Sequence, residues 1–260
     1  TGQDVDVAED AATQRLIVIT PHNEQIRYEF ERAFNRWHAE RFGQPVEISW
    51  RACGTSEIER MLFAQYGAAA EAGTESEGAG YDVCFGGGDY MFEAKFKRGF
   101  EYVGRDDEPR RITITQPIEL DPEFIKEVYP TPDVAGNKLY DPDGHWWGAA
   151  LSSFGIVYNN DVLHLRSMPT PVKWSDLTEG RYVGWIAMGD PSHSGSVRKT
   201  YDIIMQHYGW DVGWATLRRI CANARYFTSS SQKVPLDVSS GEAAAGMCID
   251  FYGRLQSQIM

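Results

Sequence analysis

The sequence predicts a two-lobe α/β fold built on mostly parallel sheets. Three observations carry that expectation. Residues 15–100 alternate strand and helix as β-α-β-α-β-α, a Pro- and charge-rich stretch follows at 104–145, and a second alternation of strands and helices occupies the remainder. Alternation of this kind places helices on both faces of a parallel sheet. The expected division is lobe 1 over 15–152, and lobe 2 with the hinge over 153–260.

Residues 1–14 carry Asp4, Asp6, Glu9 and Asp10 and no base, and read as a flexible acidic tail. Leu16–Ile19 is an apolar run of strand length. Thr20–Asn23 forms a turn. Ile26, Phe30, Ala33, Phe34 and Trp37 then recur at helical spacing, until Gly43 and Pro45 stop the helix. Val46–Trp50 alternates as a second strand. Gly54-Thr55-Ser56 opens a second helix, with Ser56 and Glu59 spaced as a capping box. Residues 67–80 are low in complexity and read as a flexible surface insertion, since closure entropy grows slowly with loop length. Tyr81–Phe85 is a third strand, ended by Gly86-Gly87-Gly88, and a helix is expected from Asp89 to about Phe100.

Past the irregular stretch, Trp147–Leu151 and Phe154–Tyr158 are apolar runs that carry the chain into the second lobe. Val183–Met188 reads as a strand, and Asp190–Ser196 leads into a helix whose Val197, Tyr201, Ile204 and Tyr208 share a face. Another helix starts at Asp211. Gly246–Asp250 is the last strand, closed by Phe251-Tyr252-Gly253.

Twenty-five Lys and Arg against 37 Asp and Glu give a net charge of −12. Both nucleic acid and anionic membrane require clustered Lys and Arg, so neither is an expected partner. The acidic tail together with Glu71, Glu75 and Glu77 holds seven of the excess negatives, so the acidity says little about the polarity of a binding site. No run of about 18 apolar residues is present to span a membrane. Cys53, Cys84, Cys221 and Cys248 form no CxxC and no metal-finger spacing. Cys53 and Cys84 are expected near each other at strand ends of the first lobe, where a disulfide is permitted but not required.

One motif recurs, a strand followed by a small polar turn and a helix N-terminus. It appears at Thr20–Asn23, Gly54–Ser56, Gly86–Asp89 and Ser192–Ser196. In an open parallel sheet such turns lie at the carboxyl edge, where ligands bind. Helix N-termini there offer unpaired N–H groups and a positive dipole end, which suits an anion. The candidate contacts are His22, Asn23, Thr55, Ser56, Gly87, Gly88, Ser153, Ser194, Ser196 and Tyr252. His22 could also contact a metal or be an ordinary turn histidine, and Tyr252 could supply a phenolate, stack on a ligand or pack at the hinge. Trp146 and Trp147 could wall the cleft. Gly86-Gly87-Gly88 lacks the Lys-[Ser/Thr] of a phosphate-binding loop, and no G-x-S-x-G nucleophile motif accompanies His193-Ser194.

Taken together, Trp147–Asn159, Asp190–Ser196, Phe227–Ser231 and Asp237–Tyr252 resemble family one extracellular solute-binding proteins, and within them the ferric-iron-type branch of ABC importers. The resemblance implies a type II periplasmic-binding-protein fold, in which two α/β lobes joined by a strand hinge close on a ligand. It further implies a non-enzymatic receptor, monomeric, located in the periplasm or outside the cell, with or without an N-terminal membrane tether. Such a receptor takes a small-molecule or ion ligand and partners an ABC transporter permease. No cofactor is required, and a bound metal ion is left open with His22 and Tyr252 as candidates. Ferric members use two neighbouring tyrosines after the late strand. Here that place reads Asp250-Phe251-Tyr252, which favours a phosphate-bearing ligand or other oxyanion. A ferric-ion receptor and an enzyme using the same cleft remain the alternatives. The family chain recrosses the hinge after this strand, so a segment returning to lobe 1 is expected beyond Met260.

Overall fold

The computed structural model describes residues 14–104 and 106–259. All but the last residue of the expected acidic tail lies outside these, as does Met260.

The first half opens with β1 (Arg15–Thr20), α1 (Glu24–Phe42), β2 (Glu47–Ala52), α2 (Thr55–Ala72) and β3 (Val83–Cys84). The three strands make a parallel sheet of order β2-β1-β3. Asn23 caps α1 by accepting from the Ile26 N–H, and Gly43 ends it in the left-handed region that a side chain would disfavour. One sheet face packs Ile19 against Ile58 and Leu62 of α2 and against Met91 and Phe96 of a π-helical turn, Met91–Lys97. On the other face Phe30 of α1 stacks on Phe85 at 4.6 Å, and the Trp50 indole donates to Glu31 at 2.7 Å. No residue of α1 is fully buried.

The stretch expected to be irregular contains a hairpin of β4 (Phe100–Val103) and β5 (Pro109–Ile112), then α3 (Pro122–Val128), and a short hairpin of β6 (Asp133–Val134) and β7 (Asn137–Lys138). Lys97 anchors it, donating to Asp141 at 2.7 Å and Asp143 at 2.8 Å, with Asp141 1% exposed.

β8 (Phe154–Tyr158) begins the second sheet. After it come α4 (Asn160–Leu165), β9 (Ile186–Gly189), α5 (Gly195–Tyr208), α6 (Trp210–Ala222), β10 (Ala224–Thr228), α7 (Lys233–Ser239), β11 (Ala245–Ile249) and α8 (Asp250–Ile259). Strand order is β10-β9-β11-β8, parallel except that β8 runs against β11. Ile186 and Met188 of β9 face Ile204, Leu217 and Ile220 of α5 and α6, while Ala187 faces Val234 and Val238 of α7. This is the two-sided helical cover that the alternation predicts.

Several local expectations are corrected. Ser56 and Glu59 form no capping box: Gly54 is the N-cap of α2, and the Ser56 hydroxyl is engaged elsewhere. Residues 67–72 continue α2, because their Ala-rich run is strongly helix-favouring. The helix expected from Asp89 to about Phe100 is present but takes π geometry over Met91–Lys97 and ends there, and Gly99 at φ 60° precedes β4. Trp147–Leu151 is not a strand, and β9 starts three residues later than expected. Phe251-Tyr252-Gly253 do not close a strand but form the first turn of α8, which packs on α7, β11 and β8. Cys53 follows β2 and Cys84 lies on β3, on either side of β1; as expected they lie near each other, packed on one core cluster and close enough to interact electrostatically, and all four thiols are free. Trp146 is buried and donates to Glu93, while Trp147 stacks on Tyr140.

Candidate functional site

Parallel order puts the turns after β1, β2 and β3 at one carboxyl edge, and those after β9, β10 and β11 at another. The two edges face each other across a seam. Here the N-termini of α2 and α5 meet. A Cβ on Gly54 would lie 2.8 Å from the His193 carbonyl oxygen, and one on Gly195 would lie 2.9 Å from Thr55 Cγ2. Arg198, in the first turns of α5, donates from Nη2 to the Ser56 hydroxyl at 2.6 Å. Ser56 and Ser194 are both buried. No carboxylate pairs with Arg198 among the described residues, although a cation near a helix N-terminus opposes the helix dipole. Two positive helix ends and one guanidinium thus converge with hydroxyl donors.

One strand along, the seam opens into a cavity of about 460 Å³. Asn23 lines it from α1, Ser230, Gln232 and Lys233 from the segment after β10, and Tyr252 and Gln256 from α8. The Tyr252 phenol hydrogen-bonds Gln232, and burial, the larger influence, pushes its pKa up. Burial thus favours the protonated phenol, which can donate to a ligand.

His22 lies between these two parts. Its ring packs on Phe85 at 4.9 Å and meets Phe251 edge-on at 6.4 Å. Burial lowers its pKa, favouring the neutral imidazole. Gly86, at φ 99°, leaves room for that ring: a Cβ there would sit 2.5 Å from Nε2.

The structure brings together His22, Asn23, Thr55, Ser56, Ser194, Ser196 and Tyr252 along the seam. Ser194 spends its hydroxyl capping α5, accepting from Val197 N–H at 3.4 Å, so the α5 backbone is the more available donor. Gly87 and Gly88 are exposed beyond β3, and Ser153 is exposed beside Asp250, which accepts from its N–H at 3.2 Å. Sequence reasoning missed Arg198, Gln232 and Lys233. A cation one turn into a helix that starts Ser-Gly-Ser was a usable signal for Arg198. Gln232 and Lys233 carried none, since only the fold turns that segment toward α1.

Asp190, Ser192 and His193 cluster, yet not as a nucleophile relay. Ser192 donates to Asp190 at 2.6 Å, and both side chains approach the same His193 nitrogen, Nδ1, at 3.0 and 3.2 Å. A relay needs the nucleophile and the orienting acid on opposite ring nitrogens of the histidine base. The Ser192 bonds lower the Asp190 pKa, as expected of a turn carboxylate accepting donors. No group of three or more His, Cys, Asp or Glu suited to a metal occurs among the described residues. Phe251 offers no metal-ligating atom beside Tyr252 and meets its ring edge-on at 4.3 Å.

Residues 113–258 match the model of the bacterial extracellular solute-binding protein family, and the chain belongs to that family. Over 106 residues it is 36% identical to the phosphoglycerate transport regulatory protein PgtC of Salmonella typhimurium, a stretch covering 41% of this chain and 27% of that protein. Solved structures agree on the fold. AfuA from Actinobacillus pleuropneumoniae, solved with exogenous fructose-6-phosphate bound, superposes with a TM-score of 0.62 at 16% identity, over 95% of this chain and 66% of AfuA. The periplasmic binding protein P5PA gives 0.60 at 17%, over 95% and 67%. Iron-bound HitA from Pseudomonas aeruginosa gives 0.61 at 14%, over 95% and 66%. The chain thus spans about two thirds of these structures and has the two-lobe periplasmic-binding-protein fold.

Proposed function

We propose that the chain is a non-enzymatic solute receptor that binds a small phosphate-bearing ligand or other oxyanion in the seam and delivers it to an ABC importer outside the inner membrane. The observation that carries this reading is the convergence of Arg198 with the N-termini of α2 and α5, with Ser56 between them. A guanidinium and oriented N–H groups match an anion's acceptor-only oxygens. The family membership supports a receptor role. PgtC is named for phosphoglycerate transport and AfuA was solved with a sugar phosphate, and both names fit an anionic cargo. Phe251 in place of a second tyrosine beside Tyr252 favours an oxyanion over ferric ion.

A thermal-shift screen of inorganic phosphate, sulfate, phosphate esters, ferric salts, neutral sugars and amino acids tests the reading. A ligand present at 100 times its Kd stabilises the fold by about 2.7 kcal/mol. Stabilisation by phosphate or its esters is the expected result. Stabilisation confined to a neutral sugar or a free amino acid would refute it, and steady turnover of a stabilising ligand would establish an enzyme instead.

A further inference from the structure

The cavity beside the seam differs electrically from the Arg198 end. Lys233 is the cation lining it, and that charge is already matched. Its ammonium reaches both oxygens of Asp237 at 2.6 and 2.8 Å, and Asp237 is only 5% exposed. The Tyr226 hydroxyl donates to the same carboxylate at 2.5 Å, and its ring lies 5.9 Å from the ammonium. Lysine is thus held in place with one donor to spare and no net charge to offer. At the N-terminus of α1, which also borders the cavity, Glu24 complements the helix dipole and offsets its positive end. The remaining polar contacts are the amides of Asn23, Gln232 and Gln256 and the hydroxyls of Ser230 and Tyr252, beside the apolar Pro235, Leu236 and Leu255. Amides and hydroxyls both donate and accept, as do a ligand's hydroxyl groups, whereas a carboxylate or phosphate only accepts.

We propose that the Lys233–Asp237 pair makes this cavity a compartment for an uncharged, hydroxyl-bearing part of the ligand and excludes a second anionic group. This rests on the reading that the ligand's anionic end lies at Arg198. The two places follow neighbouring strands on both sheets, β2 beside β1 and β9 beside β10 and β11. Adjacent strands are about 4.8 Å apart, so a three-carbon ligand can reach both.

Calorimetry on the 260-residue chain with three probes tests it: inorganic phosphate, racemic glycerol 3-phosphate and racemic 3-phosphoglycerate. The last two differ only by hydroxymethyl against carboxylate. Wild type should prefer glycerol 3-phosphate to 3-phosphoglycerate by about tenfold or more. Asp237→Asn leaves the ammonium uncompensated and should narrow or reverse that preference. Lys233→Gln leaves the carboxylate uncompensated and should widen it. Inorganic phosphate affinity in each variant gives the change felt at the Arg198 end, and the preference between the two esters is read relative to it; a merely structural role for the pair would lower all three affinities together and leave that preference as in wild type. Equal or tighter binding of 3-phosphoglycerate by wild type overturns the proposal while leaving an anion receptor intact, as do shifts of the same sign in both variants. If one variant fails to fold, the wild-type ranking and the direction of the other decide. Absence of binding by all three probes overturns the anion reading and this proposal with it.

Discussion

Arg198 and Ser56 are 142 residues apart in sequence, and their side chains are hydrogen-bonded at 2.6 Å. That bond ties α5 of one sheet to α2 of the other, between the two helix N-termini proposed to hold an anion. A donor already seated across the seam needs little rearrangement to serve a ligand placed there.

Arg198→Met should weaken binding of inorganic phosphate about 10- to 100-fold, since hydrogen bonds to a charged group contribute about 1.5–3 kcal/mol. Thermal stability without added anion should barely change, because the side chain is only half-buried. Titration calorimetry measures this, and unchanged affinity would remove Arg198 from the site.

Gly54→Ala acts on the approach of the lobes. The backbone there has φ −64°, which Ala adopts freely, so α2 itself loses little. The new methyl would lie 2.8 Å from the His193 carbonyl, a contact that only separation of the two edges relieves. Anion affinity should fall with a Tm change of a degree or two, and the radius of gyration in solution should rise. A variant with wild-type affinity would show that the seam does not need this closeness.

His22 gives a pH dependence with a definite sign. Burial holds its pKa in the folded state below the ordinary value of 6.5. The unfolded chain therefore takes up the proton first as pH falls. Its contribution to stability is complete above about pH 6.5 and is lost progressively below it, down to the folded-state pKa. His22→Gln should flatten the Tm profile in that window relative to wild type. Parallel profiles for the two proteins would contradict the assignment.

Lys97→Met should destabilise the first lobe by about 3 kcal/mol, because it strands the Asp141 carboxylate in the interior. Although burial works against the charged form of each, their pairing dominates: Asp141 is held low and Lys97 high. Denaturant unfolding measures the loss. Replacing Asp141 and Lys97 together should cost less than the single change.

The strand–turn–helix grammar was readable wherever apolar periodicity and glycine or proline punctuation agreed, as in β1 through β3 and in α5 and α6. Stretches governed by polar contacts were not. The hairpins between Phe100 and Lys138 have exposed, charged strands, and the carboxylates that anchor them to Lys97 lie more than forty residues away. Asp250-Phe251-Tyr252 looked like a strand end because periodicity alone does not separate a last strand residue from a first helical turn. Small polar turns announced the seam. Its charged members stayed hidden, because Arg198 sits within an amphipathic helix and Lys233 in a Ser-rich segment, and only the facing of two sheets aims them at a ligand.

The order β10-β9-β11-β8 also has a consequence for biosynthesis. β11 follows both β8 and β9 in the chain yet stands between them, so β8 has no partner in its sheet until β11 leaves the ribosome. At about 5–20 residues per second, the chain from Tyr158 to Ile249 takes roughly five to twenty seconds to synthesise. Throughout that interval the Phe154–Tyr158 segment has no strand beside it, while β9 and β10 can already pair, and β11 completes the second sheet by joining β8 to them.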